Sequence, residues 1–315
     1  PIVPAILVSP ARELFAGLLL LAATTAVAKP PPPWEFHDGD RVVFVGDTFV
    51  EREQRSGYVE TVLTLANPDK NLTFRNLGWS GDTVRGLSRA GFDPPEAGFR
   101  ELVKQVTDAR PTVLVVGYGM AESFDGASGV PRFVEGYNAF LDAVAPLKAR
   151  LVLLSPLPHE AMPPPLPDPT AHNRDLAMYA EAVRSIAASR DAAFVDLFDL
   201  VGKDRARREG RPKPAEPDTD NGIHPTGLGF WRLANLADLG LKPGAYLPSK
   251  ELTATDESLR FVVADARLPL PASPASGVSL DGVRTIQAEK LKPGRYTLKA
   301  DGRNVLTKTA QEWAQ

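Results

Sequence analysis

The sequence predicts an α/β fold: a mostly parallel sheet covered by helices on both faces, followed by a small C-terminal β unit. Three observations predict it. Short, largely apolar runs of strand length alternate with longer amphipathic stretches up to Leu239, the pattern of strands buried on both faces. Three of the runs end in glycine-rich breaks, Gly46-Asp47-Thr48, Gly78-Trp79-Ser80-Gly81 and Gly117-Tyr118-Gly119-Met120-Ala121. In such sheets ligands gather at the carboxyl ends of the strands. Beyond about residue 243 the pattern changes to short strand candidates separated by turn residues.

Each element has its own local reason. Arg41–Gly46 is a β-branched run that glycine ends, and Leu72–Leu77, Thr112–Val116, Leu151–Leu154 and Ala193–Leu197 are likewise short, largely apolar runs of strand length. Between and after them, Gly57–Ala66, Ala97–Ala109, Arg132–Lys148 and Asn173–Arg190 are helical in pattern, and Thr226–Leu239 closes the series. Two insertions interrupt it. Pro156–Pro169 is Pro-rich and carries His159 and Glu160, and Val201–Pro217 is rich in Arg, Lys and Pro. Both read as surface loops at the rim of the sheet edge. In the last quarter, strands are expected at Leu259–Val263, Val283–Gln287, Arg295–Lys299 and Asn304–Lys308, with turns at Lys292-Pro293-Gly294 and Asp301-Gly302. Gln311–Gln315 reads as a helix start, so the natural protein is expected to continue.

The first residues point to export. Arg12 precedes the apolar run Leu14–Ala23, and Ala26-Val27-Ala28 has the small residues of a cleavage site. A buried or anchoring helix is the competing reading, but the run is short for a membrane span. The expected organisation is a signal peptide at 1–28, a stiff Pro-rich linker at 29–37, the α/β domain at 38–240 and the β-rich region at 241–315. The expected location is periplasmic or extracellular, with no membrane span after signal removal.

Composition excludes several functions. At 315 residues and 43% hydrophobic the chain can bury a full core. A net charge of −3 with scattered Lys and Arg offers no field for nucleic acid. The absence of cysteine removes disulfides, thiolate metal sites, cysteine nucleophiles and covalent haem.

Chemistry concentrates in two segments. Thr48 carries a hydroxyl one step past the turn out of the first strand, and His224 lies in Asn221-Gly222-Ile223-His224-Pro225. Together they are a nucleophile and a base. Asp220 is placed to hold the histidine tautomer, and amides beside Gly78, Gly81 and the Gly117–Ala121 loop are candidate oxyanion donors. The bland alternatives are an N-cap for Thr48, an exposed loop histidine and ordinary tight turns. His159, Glu160, His172 and His224 have no helical metal-site spacing, so no metal or cofactor is expected.

Gly46-Asp47-Thr48, Asn76–Asp82, Gly119–Phe124 and Asn221–Pro225, in that order, resemble the four blocks of the SGNH (GDSL-type) hydrolases across residues 38–240. The wording is similar to exported planctomycete-type members, some of which sit beside haem-binding or dehydrogenase-like modules. The resemblance implies a flavodoxin-like three-layer α/β/α sandwich. It also implies ester or acetyl hydrolysis, often on carbohydrate. Carried over by position, Thr48 stands where the family has its serine, Ala121 where it has the oxyanion asparagine, and Asn221 where it has the aspartate; Gly81 and His224 match. The implied set is Thr48 as nucleophile, His224 as base, Asp220 or Asn221 on its far nitrogen, and Thr48, Gly81 and Ala121 at the oxyanion. The implied partner is a small-molecule or carbohydrate ester. A second reading is a non-catalytic module that binds glycan or protein through the same cleft, with Trp79, Tyr118 and Phe124 as stacking surface.

Overall fold

The computed structural model describes residues 35–210, 217–236, 251–254, 259–262, 273–275, 291–300 and 302–313. The chain divides into two compact units, Pro1–Pro30 and Pro31–Gln315, and every described residue belongs to the second. The expected signal peptide, residues 29–34 of the expected linker and the expected strand Val283–Gln287 lie outside the described residues.

Strand β1 (Arg41–Gly46) leads into helix α1 (Thr48–Glu53) and then α2 (Tyr58–Ala66). There follow β2 (Thr73–Asn76), α3 (Pro95–Ala109), β3 (Val113–Gly117), α4 (Gly126–Val144) and β4 (Arg150–Leu154). The domain is completed by α5 (Thr170–Ser189), β5 (Ala193–Val195), α6 (Leu197–Arg208) and α7 (Gly227–Leu236). The five strands are all parallel, in the order β2-β1-β3-β4-β5. This is the flavodoxin-like order, whose direction of winding reverses at β1 and β3.

Alternation along the strands divides the core in two. Val43, Val45, Leu114, Val116 and Leu153 pack under α3, α4 and α5 with Leu102, Tyr137, Phe140 and Val183. Val42, Phe44, Val113, Val115 and Val152 face the other way, against Val50 of α1, Val59, Val62 and Leu63 of α2, and Leu233 of α7. With side chains buried on both faces, β3 is wholly apolar and β1 is so after the exposed Arg41 that opens it.

The expected strands and helices that fall among the described residues are present with ends shifted by a few residues, and two departures have physical causes. Val201–Pro217 is not a loop throughout, because its first part belongs to α6. Asp196 caps that helix by accepting from the Asp199 N–H, and the pairs Asp199–Lys203 and Asp204–Arg208 brace it. Arg205, Arg207 and Arg208 lie at its last turn, where cations suit the helix dipole. Only Leu197 is buried, with Leu200 and Val201 packed partly buried beside it, so the apolar stripe is one turn long and gives way to charged residues, too short for sequence periodicity to detect. Residues 211–216 lie outside the described set. The second departure is the short helix α1, with Asp47 rather than Thr48 as its cap.

At the C-terminal end, β6 (Glu251–Ala254) pairs antiparallel with β7 (Leu259–Val262), and β8 (Arg295–Ala300) with β9 (Arg303–Thr309). The short helix α8 (Ala310–Trp313) follows. Among the described residues, no helix is long and apolar enough to cross a membrane.

Candidate active site

The carboxyl ends of β1, β2 and β3 are laced together by backbone. Asp47 N–H donates to Gly117 O at 3.2 Å, and Trp79 N–H donates to Gly46 O at 3.0 Å. The approach is close enough that a Cβ on Gly46 would sit 2.3 Å from Gly117 O. Glycine at the end of β1 is therefore what lets the two crossovers meet over one point.

Thr48 lies at that point. Asp47 takes the cap position by accepting from the Phe49 N–H at 3.0 Å, which leaves the Thr48 hydroxyl free for another partner. That partner is the Gly81 N–H, which donates to Thr48 Oγ1 at 2.8 Å. Gly81 has φ +67°, a left-handed conformation that glycine adopts without strain. As first residue of a helix, Thr48 has no intrahelical acceptor for its own N–H. Thr48 and Gly81 are thus brought together, 33 residues apart in sequence.

Ala121 precedes a 3₁₀ turn at Glu122–Asp125 and has no side-chain donor. Its neighbour Glu122, which sequence reasoning missed, ties the glycine loops to each other. Its carboxyl accepts from Val84 N–H at 2.8 Å and from Gly119 N–H at 3.0 Å. Beneath the loops, Asp82 and Arg89 form a fully buried ion pair at 2.7 Å, and Tyr118 OH donates to Asp82 at 3.2 Å. Tyr118 is therefore core, 1% exposed, and is not part of any stacking surface. Trp79 and Phe124 are exposed at 45% and 63%.

Burial lifts the acids around this point. Desolvation raises Asp47 to about 8, against the Phe49 N–H bond that favours its charge, and Glu122 repels it further. Glu122 rises to about 7, again mainly by burial, and so does Glu53, whose carboxyl accepts from Val59 N–H at 2.9 Å. Because the folded chain keeps these protons after the unfolded chain has lost them, stability is expected to fall between about pH 4 and pH 8. Asp47→Asn with Glu122→Gln should flatten that fall, which denaturant titrations at pH 5 and pH 8 would measure. An unchanged pH dependence would refute it.

His224 sits in a tight loop built by Thr219 bridging to Pro225, with Asp220 N–H donating to His224 O at 3.0 Å. Asp218 anchors the loop to two helices, bonding Arg208 of α6 at 2.5 Å and also Arg232 of α7. Asn221 faces the ring, its Nδ2 3.0 Å from His224 Nδ1. The amide orientation is set by backbone. Asn221 Oδ1 accepts from Ile223 N–H at 3.1 Å and His224 N–H at 3.0 Å, so Nδ2 must be the atom that meets the ring. A donor there requires a lone pair on Nδ1, which puts the proton of the neutral imidazole on Nε2. Burial, with Arg52 nearby, lowers the His224 pKa and outweighs Asp220 and Glu51, so the neutral ring prevails at pH 7.

Asp220 is not on the ring. Its Oδ2 is held by Arg52 Nη1 at 2.6 Å, and its Oδ1 stands 3.9 Å from His224 Nδ1. Among the described residues no hydrogen bond joins Thr48 to His224. Arg52 was not legible as a site residue; its one signal is its place a turn beyond Thr48 on α1.

His159 and His172 are occupied elsewhere. With Phe124 they form a fan of rings, with centroids 4.3 Å apart for Phe124–His172 and 4.7 Å for His159–His172. Ser123 Oγ donates to Met120 O at 2.6 Å, so at 3.0 Å it accepts from His172 Nε2. Glu160 accepts from the Thr219 hydroxyl. Among the described residues no group of three or more acidic, histidine or cysteine side chains is placed to hold a metal.

A family model for GDSL-like lipases and acylhydrolases matches residues 44–232, more than half of the chain. Among solved structures, a gut microbial diltiazem-metabolizing enzyme superposes with a TM-score of 0.62 at 17% identity, over 90% of this chain and 73% of that one. A catalytic mutant of an acetylxylan esterase from Geobacillus stearothermophilus has a TM-score of 0.49 at 19% identity, over 64% of this chain and 93% of that one. The first of these likenesses bears on fold alone. No curated protein sequence matches the chain.

Proposed function

The chain belongs to the GDSL-like lipase/acylhydrolase family, and from that premise we propose that it is an exported hydrolase of acyl or acetyl esters, carbohydrate acetates included, with Thr48 as nucleophile. The observation that carries the reading is Thr48 Oγ1 at the helix start, 2.8 Å from the Gly81 N–H. In this reading Oγ1 attacks the acyl carbon, His224 takes its proton, and the N–H groups of Thr48 and Gly81 receive the carbonyl oxygen as it becomes an oxyanion. Collapse expels the alcohol, which takes the proton back from His224, and water then releases the acyl group by the same route. The γ-methyl of threonine restricts χ1 and crowds the intermediate. Ala121 supplies no side-chain donor, a loss typically worth about a hundredfold. Slow turnover follows from both. The exposed Trp79 and Phe124 favour a sugar ring as the alcohol part of the ester. The signal-like pattern of residues 1–28 supports export.

Thr48→Ala is expected to lower turnover of acetyl and short-acyl esters by a thousandfold or more, on the order seen when a hydroxyl nucleophile is removed. Steady-state assays of the purified protein check it. Activity that survives Thr48→Ala would remove the nucleophile from the proposal.

One observation favours a second reading. With the proton of neutral His224 on Nε2, the ring offers a donor to the cleft rather than a base. In that state the cleft suits binding of a glycan between Trp79 and Phe124 without turnover. Glycan affinity unaffected by Thr48→Ala, in a protein with no ester turnover, would select this reading.

A further inference from the structure

We infer that Arg52 is a positioning residue that decides which side chain partners His224 Nδ1, by holding Asp220 away from it. The inference rests on the hydrolase reading for its effect on rate, though not for its geometry. Arg52 lies one turn beyond Thr48 on α1, and its guanidinium crosses to the histidine loop, 168 residues further along the chain. It engages Asp220 Oδ2 at 2.6 Å, while the other oxygen of the same carboxylate stands 3.9 Å from Nδ1. A shortening of about 1 Å would bring that oxygen into hydrogen-bond range. Asp220 is about half exposed, and among the described residues Arg52 is the one side chain hydrogen-bonded to its carboxylate.

The competition is between two hydrogen-bond patterns. While Arg52 keeps the carboxylate, Asn221 Nδ2 serves Nδ1 and the neutral ring carries its proton on Nε2. When the carboxylate moves to the ring, it needs an N–H on Nδ1, the amide donor must yield, and the Nε2 lone pair turns to the cleft. Only the second arrangement lets His224 accept a proton from Thr48. The charged and titratable groups that act on the ring are Arg52 and Glu51 from α1 and Asp220 from its own loop. His159, from the Pro-rich segment, is within electrostatic reach of it.

The test is NMR of the His224 imidazole nitrogens in the full chain, across a pH series, for wild type, Arg52→Gln, Arg52→Lys, Asp220→Asn and the double variant Arg52→Gln/Asp220→Asn. The single contact is to one Nη atom, which a lysine ammonium can replace, so Arg52→Lys should keep the wild-type nitrogen shifts. Arg52→Gln should move the neutral-state proton to Nδ1 and raise the histidine pKa by about one unit, tenfold in proton affinity, as for an approaching carboxylate. The double variant should return the neutral-state proton to Nε2. If Arg52→Gln leaves that proton on Nε2, as the double variant does, Arg52 acts only as a nearby charge and the inference is overturned. Ester turnover separates this from the wider proposal. The expected pattern is a several-fold gain in kcat for Arg52→Gln that Asp220→Asn cancels. The NMR pattern without turnover in any variant would keep the positioning role and remove the hydrolase reading. Thr48-dependent turnover without the NMR pattern would do the reverse.

Discussion

Asn221→Asp is expected to raise kcat/KM for short-acyl esters by about a thousandfold. The reason is local and nearly isosteric. One carboxylate oxygen keeps the two backbone donors that Asn221 Oδ1 now accepts, from Ile223 and His224. The other takes the place of Nδ2, 3.0 Å from the ring. An acceptor there calls for a proton on Nδ1, so the Nε2 lone pair becomes free to accept a proton. It also stabilises the imidazolium that forms as Thr48 attacks. The reverse change, aspartate to amide in a working triad, costs on the order of ten-thousandfold through the wrong tautomer. A somewhat smaller gain is expected here, because Ala121 still lacks its donor and the threonine methyl remains. Kinetic assays of Asn221→Asp, alone and with Thr48→Ala, check the expectation. A variant whose His224 nitrogen shifts show the new tautomer, yet whose turnover does not rise, would defeat it.

Arg89→Leu is expected to cost about 3–5 kcal/mol of stability, the range for leaving a buried charge without its partner. Arg89 and Asp82 side chains are 1% and 0% exposed. The guanidinium also donates to Leu77 O at 2.8 Å and to Gln105 Oε1 at 2.5 Å. Removing it strands those two acceptors and leaves the buried Asp82 carboxylate without its cation. Asp82→Asn in the Arg89→Leu background should recover part of the loss, since the amide oxygen can still accept from Ser88 N–H while the amide N–H donates to the Tyr118 hydroxyl oxygen. Urea or guanidinium midpoints measure both. A loss under about 1 kcal/mol for Arg89→Leu would mean that water reaches Asp82.

The strands were legible because burial on both faces leaves β-branched runs such as Val42–Val45 no room for polar residues. The glycine breaks were legible for a related reason: close backbone approach, as of Gly46 to Gly117, excludes every side chain. Helix α6 was not, because it buries one residue and is held by ion pairs that periodicity does not register. In the site, Thr48, Gly81 and His224 could be named from their local sequence. What each one bonds could not. Whether Asn221 or Asp220 meets Nδ1 depends on how the loop turns and on Arg52, whose partner is 168 residues away. Nor could the convergence of the buried acids Asp47, Asp82 and Glu122 be read, since they come together only when three crossovers meet at one sheet edge.

The anchoring of the histidine loop by Asp218 has a consequence for the order of assembly. Its two partners, Arg208 and Arg232, belong to α6 and α7, at the end of the α/β domain. The Thr48–Gly81 contact needs only the first two crossovers, and the sheet centre is complete once β3 docks beside β1. A growing or refolding chain can therefore form the Thr48–Gly81 contact early, while the loop bearing His224 is fixed only when α7 closes on the layer formed by α1 and α2. Contacts of such long sequence separation are slow to form. Compactness thus precedes chemical competence in this chain, and a partly folded molecule would hold a shaped but inert cleft.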